Sequence, residues 1–497
     1  MKKILGWLML VATLVFGYTR SLPPKVTPLP PAKTSVVYVG NLYIKDWQGR
    51  FYSEGLRKGA RALYPSKAGR VGEKWGLLEV LATGSRSPLP PDAPRIPLER
   101  LYTSPPGPQL KDRIAALPAG ERLLVVGLMT EGDHGAVIGD GWKFREVVLL
   151  GKDVPEGLLT SPSVRFRPGL IAATDIAATA LGEPFGAGRP AVLLPGKSLN
   201  LERQRELWKQ QGASGLVVVP WLLTPLLLLA AWKKWERLGR LVLAMPLAML
   251  LTPLLGAPLY PFIGLELIVL FLATVALAVW KLTVKKIAFV IALVLWAGAT
   301  LGVPLLEYNS FSYSLAEAAR FYGIGNEGAG LLMGCALAAG FELPALLAVA
   351  LAIGLPTLGA NNGCFLAALA AVVLAAPTRK TRLGVAVLAL LLVGGVVRWE
   401  ASRAPQVRSH LGQAVTKGGG GLAELAVRKL AMSGYLLVRS PWMLLLISTG
   451  GLAWRKKKKN ELLVALLALA LNDSGVLAAA TLLLPVVADQ KTDTPPE

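Results

Sequence analysis

The densest concentration of chemistry-bearing side chains lies past the middle of the chain. It runs Glu307-Tyr-Asn-Ser-Phe-Ser-Tyr-Ser, then through Glu317 and Arg320-Phe-Tyr-Gly-Ile-Gly-Asn-Glu327. A stretch rich in small apolar residues follows at once. Charged groups at membrane depth are expensive unless paired, so Arg320, Asn326 and Glu327 at the mouth of such a stretch read as a binding site. The plainer alternative is a re-entrant loop, with Tyr308, Tyr313 and Tyr322 as interface anchors and Arg320 paired to Glu327. A second polar break, Asn472-Asp473-Ser474-Gly475, interrupts the apolar run 461–487. A carboxylate there needs a partner or a wet cavity, and an interrupted helix presents backbone groups to a ligand. Asn361-Asn362-Gly363 separates two further apolar stretches, while His410 and Arg428 belong to the basic segment 398–440. The expected ligand site therefore comprises Arg320, Asn326, Glu327, Asn361, Asn362, His410, Arg428, Asn472, Asp473 and Ser474. Glu327 and Asp473 are the candidates for a general base.

These residues require a membrane scaffold to hold them. The 497-residue chain is 53% hydrophobic, and beyond residue 214 apolar stretches of spanning length alternate with short polar breaks. The net charge of +22 does not imply nucleic acid, because the cations cluster beside apolar stretches as topology signals do. Lys233/Lys234/Arg237/Arg240, Lys281/Lys285/Lys286, Arg379/Lys380/Arg382 and the run Arg455 to Lys459 are four such loops. Placing all four in the cytoplasm requires an even number of spans between each. Spans near 215–231, 241–256, 262–280, 287–304, 328–341, 343–358, 364–377, 383–397, 441–454 and 461–487 satisfy that parity. With an N-terminal anchor they make about eleven crossings, about ten of them helices of one all-α transmembrane domain at 214–489. On this map 305–327, 359–363 and 398–440 face outward, and the last of these is the longest. It is basic, which suits either an interfacial amphipathic helix over 421–437 or a site for an anionic lipid or lipid-linked phosphate.

The start, Lys2-Lys3 followed by an apolar run to Tyr18, carries the charged and hydrophobic regions of a signal sequence without a small-x-small cleavage site. Residues 1–19 therefore read as a signal anchor, 20–34 as a Pro-rich spacer and 490–497 as a polar tail. Residues 20–213 are then extracytoplasmic. Within 35–213, short apolar runs such as Val36-Val-Tyr-Val39, Arg122-Leu-Leu-Val-Val-Gly127 and Arg145-Glu-Val-Val-Leu-Leu-Gly151 alternate with helical stretches. That order predicts an α/β fold around a mostly parallel sheet. Asp175 is placed to N-cap a helix over 175–181. Cys335 and Cys364, the two cysteines, sit in apolar stretches and read as packing residues.

Asp133-His134-Gly135, the strand at 145–151 and the stretch from Arg167 to Thr179, with its T-D-I-A-x-T run, resemble the alkaline phosphatase superfamily. The closest likeness is to its phosphoglycerate mutase-like and sulfatase-like branches. Ala178 stands where those branches usually carry proline. The resemblance covers about 60 residues and implies a two-metal phosphoryl site. The chain departs from that pattern. It holds two histidines, His134 and His410, and the first strand ends Val39-Gly40-Asn41 where the superfamily places a metal-binding Asp. Thr83 and Ser85, the candidate nucleophiles, have no evident partner set. A shortened, catalytically degenerate domain is expected, with Asp133 and His134 as weak metal candidates and no cofactor. R-F-Y-G-I-G-N-E, G-A-N-N-G and N-D-S-G further resemble multi-span bacterial membrane proteins with a phosphatase-like ectodomain, which implies an architecture and no activity. Three functions remain open: binding or transport of a lipid-linked or anionic cell-envelope precursor at the outer face of the inner membrane, transfer or hydrolysis on a phosphate- or sugar-bearing lipid, or scaffolding of an envelope-assembly partner.

Overall fold

The computed structural model describes residues 2–20, 26, 28–39, 60–65, 81–82, 94–101, 108–127, 144–165, 167–186, 188–195, 201, 215–233, 236–251, 282–301, 322–402 and 410–488. The protein is mostly helical with one small mixed sheet, and it divides into two compact units. The described residues between 24 and 213, with Tyr322, form one. Those of 2–20 and of the chain beyond 214, Tyr322 excepted, form the other.

Among the described residues the smaller unit has seven strands: β1 (Lys33–Val39), β2 (Ala60–Pro65), β3 (Glu99–Leu101), β4 (Glu121–Gly127), β5 (Phe144–Leu150), β6 (Gly157–Thr160) and β7 (Val192–Pro195). Their order is β3-β1-β4-β5-β2-β6-β7. The sheet is mixed, although five of its described strands, β3, β1, β4, β2 and β6, share one direction. β5 runs antiparallel to both its neighbours, β4 and β2, and β7 runs antiparallel to β6. Leu123 to Val126 and Val147 to Leu149 are buried on both faces. A continuous apolar run of that kind announces a central strand but not its direction. Val36, Leu124, Val126, Val147 and Leu149 form the core on one face with Ile176 and Ala177 of α3 (Asp175–Leu181); Val37, Val125 and Val148 face the other way, towards Ile114 of α2 (Pro108–Ala115).

The larger unit contains α1 (Lys2–Thr19), α4 (Gly215–Lys233), α5 (Glu236–Leu251), α6 (Val284–Leu301), α7 (Asn326–Ala338), α8 (Leu343–Gly354), α9 (Asn362–Ala375), α10 (Arg379–Ser402), α11 (His410–Thr416), α12 (Gly419–Arg439), α13 (Trp442–Arg455), α14 (Lys459–Leu471) and α15 (Gly475–Ala488). Among the described residues α1, α6 and α10 are long and apolar enough to cross a membrane. The bent pair α12–α13, with 91° between its halves, would make a fourth. α7, α8, α9, α14 and α15 are shorter, at 13, 12, 14, 13 and 14 residues.

The expected single span over 461–487 is corrected to a helical hairpin. A Cβ on Gly475 would fall 2.1 Å from the carbonyl oxygen of Leu469, so the chain reverses at 472–474. At the far end Lys456 Nζ donates to the Val487 carbonyl (3.1 Å), tying the end of α15 back to the α13–α14 turn. Composition concealed the reversal because both arms are apolar and their sum has spanning length.

Helix directions follow from the close contacts. α7 and α15 run parallel, because glycines let their backbones touch. A Cβ on Gly330 would sit 2.2 Å from the Ala478 carbonyl, and one on Gly334 would sit 2.0 Å from that of Leu482. This is the small-xxx-small packing that joins helices where lipid offers no hydrophobic drive. α1 lies parallel to α8, with Gly6 on Ala345 and Gly17 on Leu355, and Thr357 Oγ1 donates to the Gly17 carbonyl (2.9 Å). Trp296 of α6 donates to Thr13 Oγ1 (2.9 Å), and Phe289 packs edge-on against Phe341. One end of this bundle therefore collects Lys2, Lys3, Lys285, Lys286, Arg379, Lys380, Arg382 and the Arg455–Lys459 run. The opposite end collects the turns at 322–325, 355–361 and 472–474.

Candidate functional site

The non-basic end is a polar node built from three separate turns. At the first, Gly323 (φ +90°) lies so close to the Gly359 carbonyl that a Cβ would meet it at 2.1 Å, and Ile324 N–H donates to the same oxygen (2.9 Å). Ala360 adopts the left-handed region (φ 51°), which turns the chain so that Asn361 can open α9. Asn361 Oδ1 accepts from Cys364 N–H (3.1 Å), an N-cap that satisfies one of the orphan donors of a helix start. Its Nδ2 donates to Asn326 Oδ1 (2.7 Å), and Asn326 Nδ2 donates to Ser474 Oγ. The chain Cys364–Asn361–Asn326–Ser474 thus joins α7, α9 and α15 where all three begin. Asn472, 3% exposed, turns its Nδ2 onto the Ala468 carbonyl (2.7 Å) and packs its Oδ1 over Gly363, where a Cβ would have no room.

α12 covers one side of this node. Lys429 Nζ donates to the Leu471 carbonyl, and Ser433 Oγ donates to the Asn472 carbonyl (3.1 Å). The last carbonyls of α14 lack helical partners, and a lysine at a helix C-terminus also complements its dipole. Arg428 reaches Asp473 at 3.8 Å, with the two side chains 47% and 51% exposed. Lys429 and Ser433 were not among the expected site residues, although the stretch was expected as an amphipathic helix or an anionic-lipid site. Their i, i+4 spacing opposite an apolar row was the available signal.

The structure therefore brings Asn326, Asn361 and Ser474 together in one hydrogen-bonded chain, half-buried at Asn326 and Ser474 and buried at Asn361, with the buried Asn472 packed beside it and Arg428 and Asp473 at its edge. Asn362 stands beside them, its Oδ1 buried without a hydrogen bond. Glu327 is buried in the first turn of α7. His410 opens α11, and its side chain lies outside the described residues. Arg320, Asp133, His134, Thr83 and Ser85 also lie outside them, as do Tyr308 and Tyr313. Tyr322 belongs to the smaller unit, where the Arg165 guanidinium stacks 3.3 Å above its ring centroid.

In the smaller unit Asp175 is corrected from N-cap to first helical residue; Thr174 is the N-cap of α3. The carboxylate is fully buried and accepts four hydrogen bonds. They come from Ser161 Oγ (2.6 Å), Ser163 Oγ (2.6 Å), Ala172 N–H (2.8 Å) and Arg189 N–H (2.9 Å). Burial pushes this carboxyl above its ordinary range, and the four donors pull against that rise. Its oxygens are committed to holding loops together, so they are not open to a metal. Among the described residues no group of three metal-ligating side chains converges. No protein-family model, curated protein or solved structure matches this chain.

Proposed function

We propose that this is a multi-pass bacterial cell-membrane protein that binds or moves a lipid-linked or anionic envelope precursor at the outer face. The observation that carries the proposal is the node. Asn326, Asn361, Asn472 and Ser474, from three turns far apart in sequence, meet at the end of the bundle opposite its basic loops. Basic loops are retained in the cytoplasm, which makes the node the outward end. Helices α7, α9 and α15 all start there, so their positive dipole ends point at one region, an arrangement suited to an anionic ligand group. Arg428 and Asp473 stand half-exposed at its rim.

The bilayer sets the depth. Helices of 12 to 14 residues are about 20 Å long, against a hydrocarbon core of about 30 Å. With their basic ends at the cytoplasmic edge, the node lies about 10 Å below the outer edge. A headgroup can reach that depth; a large soluble substrate is less suited to it. In the proposed topology the parity of about ten crossings is kept up to α13. The α14–α15 hairpin then enters from the cytoplasmic side and returns to it.

For the smaller unit we infer a degenerate alkaline phosphatase-like domain. The succession of β4, β5, β6 and α3 supports this, as does an Asp175 whose oxygens are occupied by internal donors. Mass spectrometry of lipids that co-purify with the full-length protein tests the function. A bound lipid-linked precursor, distinct from the bulk phospholipids, that is present in the wild type and lost in both Asn362→Leu and Asp473→Asn is the expected outcome. Equal lipid content in all three proteins would refute a ligand site at the node.

A further inference from the structure

The helix that covers the node carries a feature the ligand site does not use. On α12, Ala423, Val427, Leu430, Ala431, Gly434 and Val438 follow i, i+4, i+7, i+8, i+11 and i+15 and share one face. That face is exposed, with Val427, Leu430 and Val438 at 66%, 62% and 80%. The opposite face is docked, since Lys429 and Ser433 bind the carbonyls at the end of α14. Along one flank between them lie Arg428, Tyr435 and Arg439, with the Arg439 guanidinium 5.2 Å above the Tyr435 ring. At Ser440 the chain turns through 91° into α13, whose Trp442, Leu445, Leu452 and Ala453 join the apolar core of the bundle.

If α13 crosses the bilayer, α12 lies in its plane. An apolar face flanked by arginines and an aromatic ring is the pattern of a helix resting at the headgroup–acyl boundary of an anionic leaflet. The occupant of the exposed face is therefore lipid. The same geometry sets up a competition at Arg428. Its contact with Asp473 is long, at 3.8 Å, and both side chains are about half exposed. Such a pair contributes little in water. A lipid phosphate offers a guanidinium two parallel hydrogen bonds at shorter range.

We propose that α12 is an anionic-lipid-sensing lever: Arg428 exchanges its partner from Asp473 to a lipid phosphate of the adjacent leaflet. The exchange releases the Asp473 carboxylate from Arg428 at the edge of the node and leaves it beside the Lys429 charge, while Lys429 and Ser433 keep α14 capped. As a statement about regulation of the node it rests on the function proposed above; the lipid contact itself stands on α12 alone. The test uses full-length protein in nanodiscs of phosphatidylcholine, with or without phosphatidylglycerol. Phosphatidylglycerol retained on the released protein is counted by native mass spectrometry, and amide exchange is followed at residues 472–476. Arg428→Gln should retain about fivefold less phosphatidylglycerol, the effect of one basic residue near an anionic surface. Asp473→Asn should retain as much as wild type or more. Phosphatidylglycerol should speed exchange at the turn in wild type and leave it unchanged in Arg428→Gln. Equal losses in both variants would mark a merely structural ion pair and overturn the proposal, as would no loss in either. Chain-to-chain disulfide formation by Val438→Cys in phosphatidylcholine alone would place a second copy on the face and overturn it too. The co-purified precursor lipid is a separate readout, so loss of the node function and loss of the lever are told apart.

Discussion

Two carboxylates in this protein, Asp175 and Asp473, sit beside the first turn of a helix, yet their surroundings differ in kind. Asp175 is fully buried, and all four of its donors come from its own unit. Asp473 is half exposed at a chain reversal, facing an arginine at 3.8 Å and the charge of Lys429. A buried polar group must be satisfied internally, because desolvation without a partner costs more than a hydrogen bond returns. Once satisfied in that way it holds structure and is closed to ligands. A carboxylate left at a rim with a weak, exchangeable partner keeps its capacity to act. The node repeats the contrast inside a few residues: Asn326 and Asn361 are committed to the knot, while Asn362 and Asp473 at its edge are not.

The sharpest test of that contrast compares removal of each carboxylate. Asp175→Ala strands two serine hydroxyls and two backbone N–H groups in the interior of the smaller unit. Breaking such a buried charged network costs about 3–5 kcal/mol, enough to unfold a marginal domain. Asp473→Ala should cost less than about 1 kcal/mol, as for an exposed pair. Limited proteolysis of the full-length protein in detergent, followed by mapping of the cuts, reads both. Cleavage inside 24–213 is expected for the first variant alone. Equal resistance would mean that the four bonds to Asp175 contribute little.

A second comparison sets packed glycines against open ones. Gly330 and Gly334 touch the backbone of α15, whereas Gly394 and Gly395 of α10 have nothing within 4 Å of a Cβ. Gly334→Leu has to push α7 from α15, and overpacking a close contact costs about 1–3 kcal/mol or more. Gly394→Leu should leave the melting temperature unchanged. Asn361→Ala comes next, since it removes both the cap of α9 and the bridge to Asn326. About 1–2 kcal/mol is expected, from the loss of a cap and of one buried hydrogen bond. Differential scanning fluorimetry at fixed detergent concentration ranks the three. A Gly394→Leu variant as unstable as Gly334→Leu would show that α10 packs on something else.

Part of this arrangement was legible in the residues and part was not. Asn326, Asn361, Asn472 and Ser474 could be grouped because the basic loops, taken as topology signals, assign them one expected side. The hydrogen bonds that join the turns could not be read, since Asn361 and Asn326 lie 35 positions apart and Asn326 and Ser474 lie 148 apart. The α14–α15 hairpin was hidden for a related reason. Asn472 to Gly475 announces a break, but whether a broken helix continues or folds back depends on what packs against it. The direction of β5 was equally silent, because a strand buried on both faces has no pattern to orient it. Asp175 looked like a helix cap from its place before an alanine-rich run. Its actual role depends on Ser161, Ser163 and Arg189, which only the folded loops bring to it.

The smallest expected effect belongs to a third carboxylate, intermediate between the two extremes. Asp153 pairs with Arg122, whose Nε donates to Oδ2 at 3.1 Å and whose guanidinium also donates to the Pro30 carbonyl (2.7 Å). The Arg122 guanidinium, through hydrogen bonds first, holds the Asp153 carboxyl below the ordinary range. The folded protein thus binds that proton less tightly than the unfolded chain does. The stability gained is complete above the unfolded carboxyl pKa of about 3.9 and is lost as pH falls through the lower, folded value. Asp153 keeps about a third of its side-chain surface (35%) in solvent, so screening keeps the gain small. Melting temperatures of wild type and Asp153→Asn should differ slightly at pH 6 and converge as the pH is lowered through the carboxylate range. A gap that widens on acidification would reverse the sign and show that Asp153, like Asp175, is governed by burial instead of by its arginine.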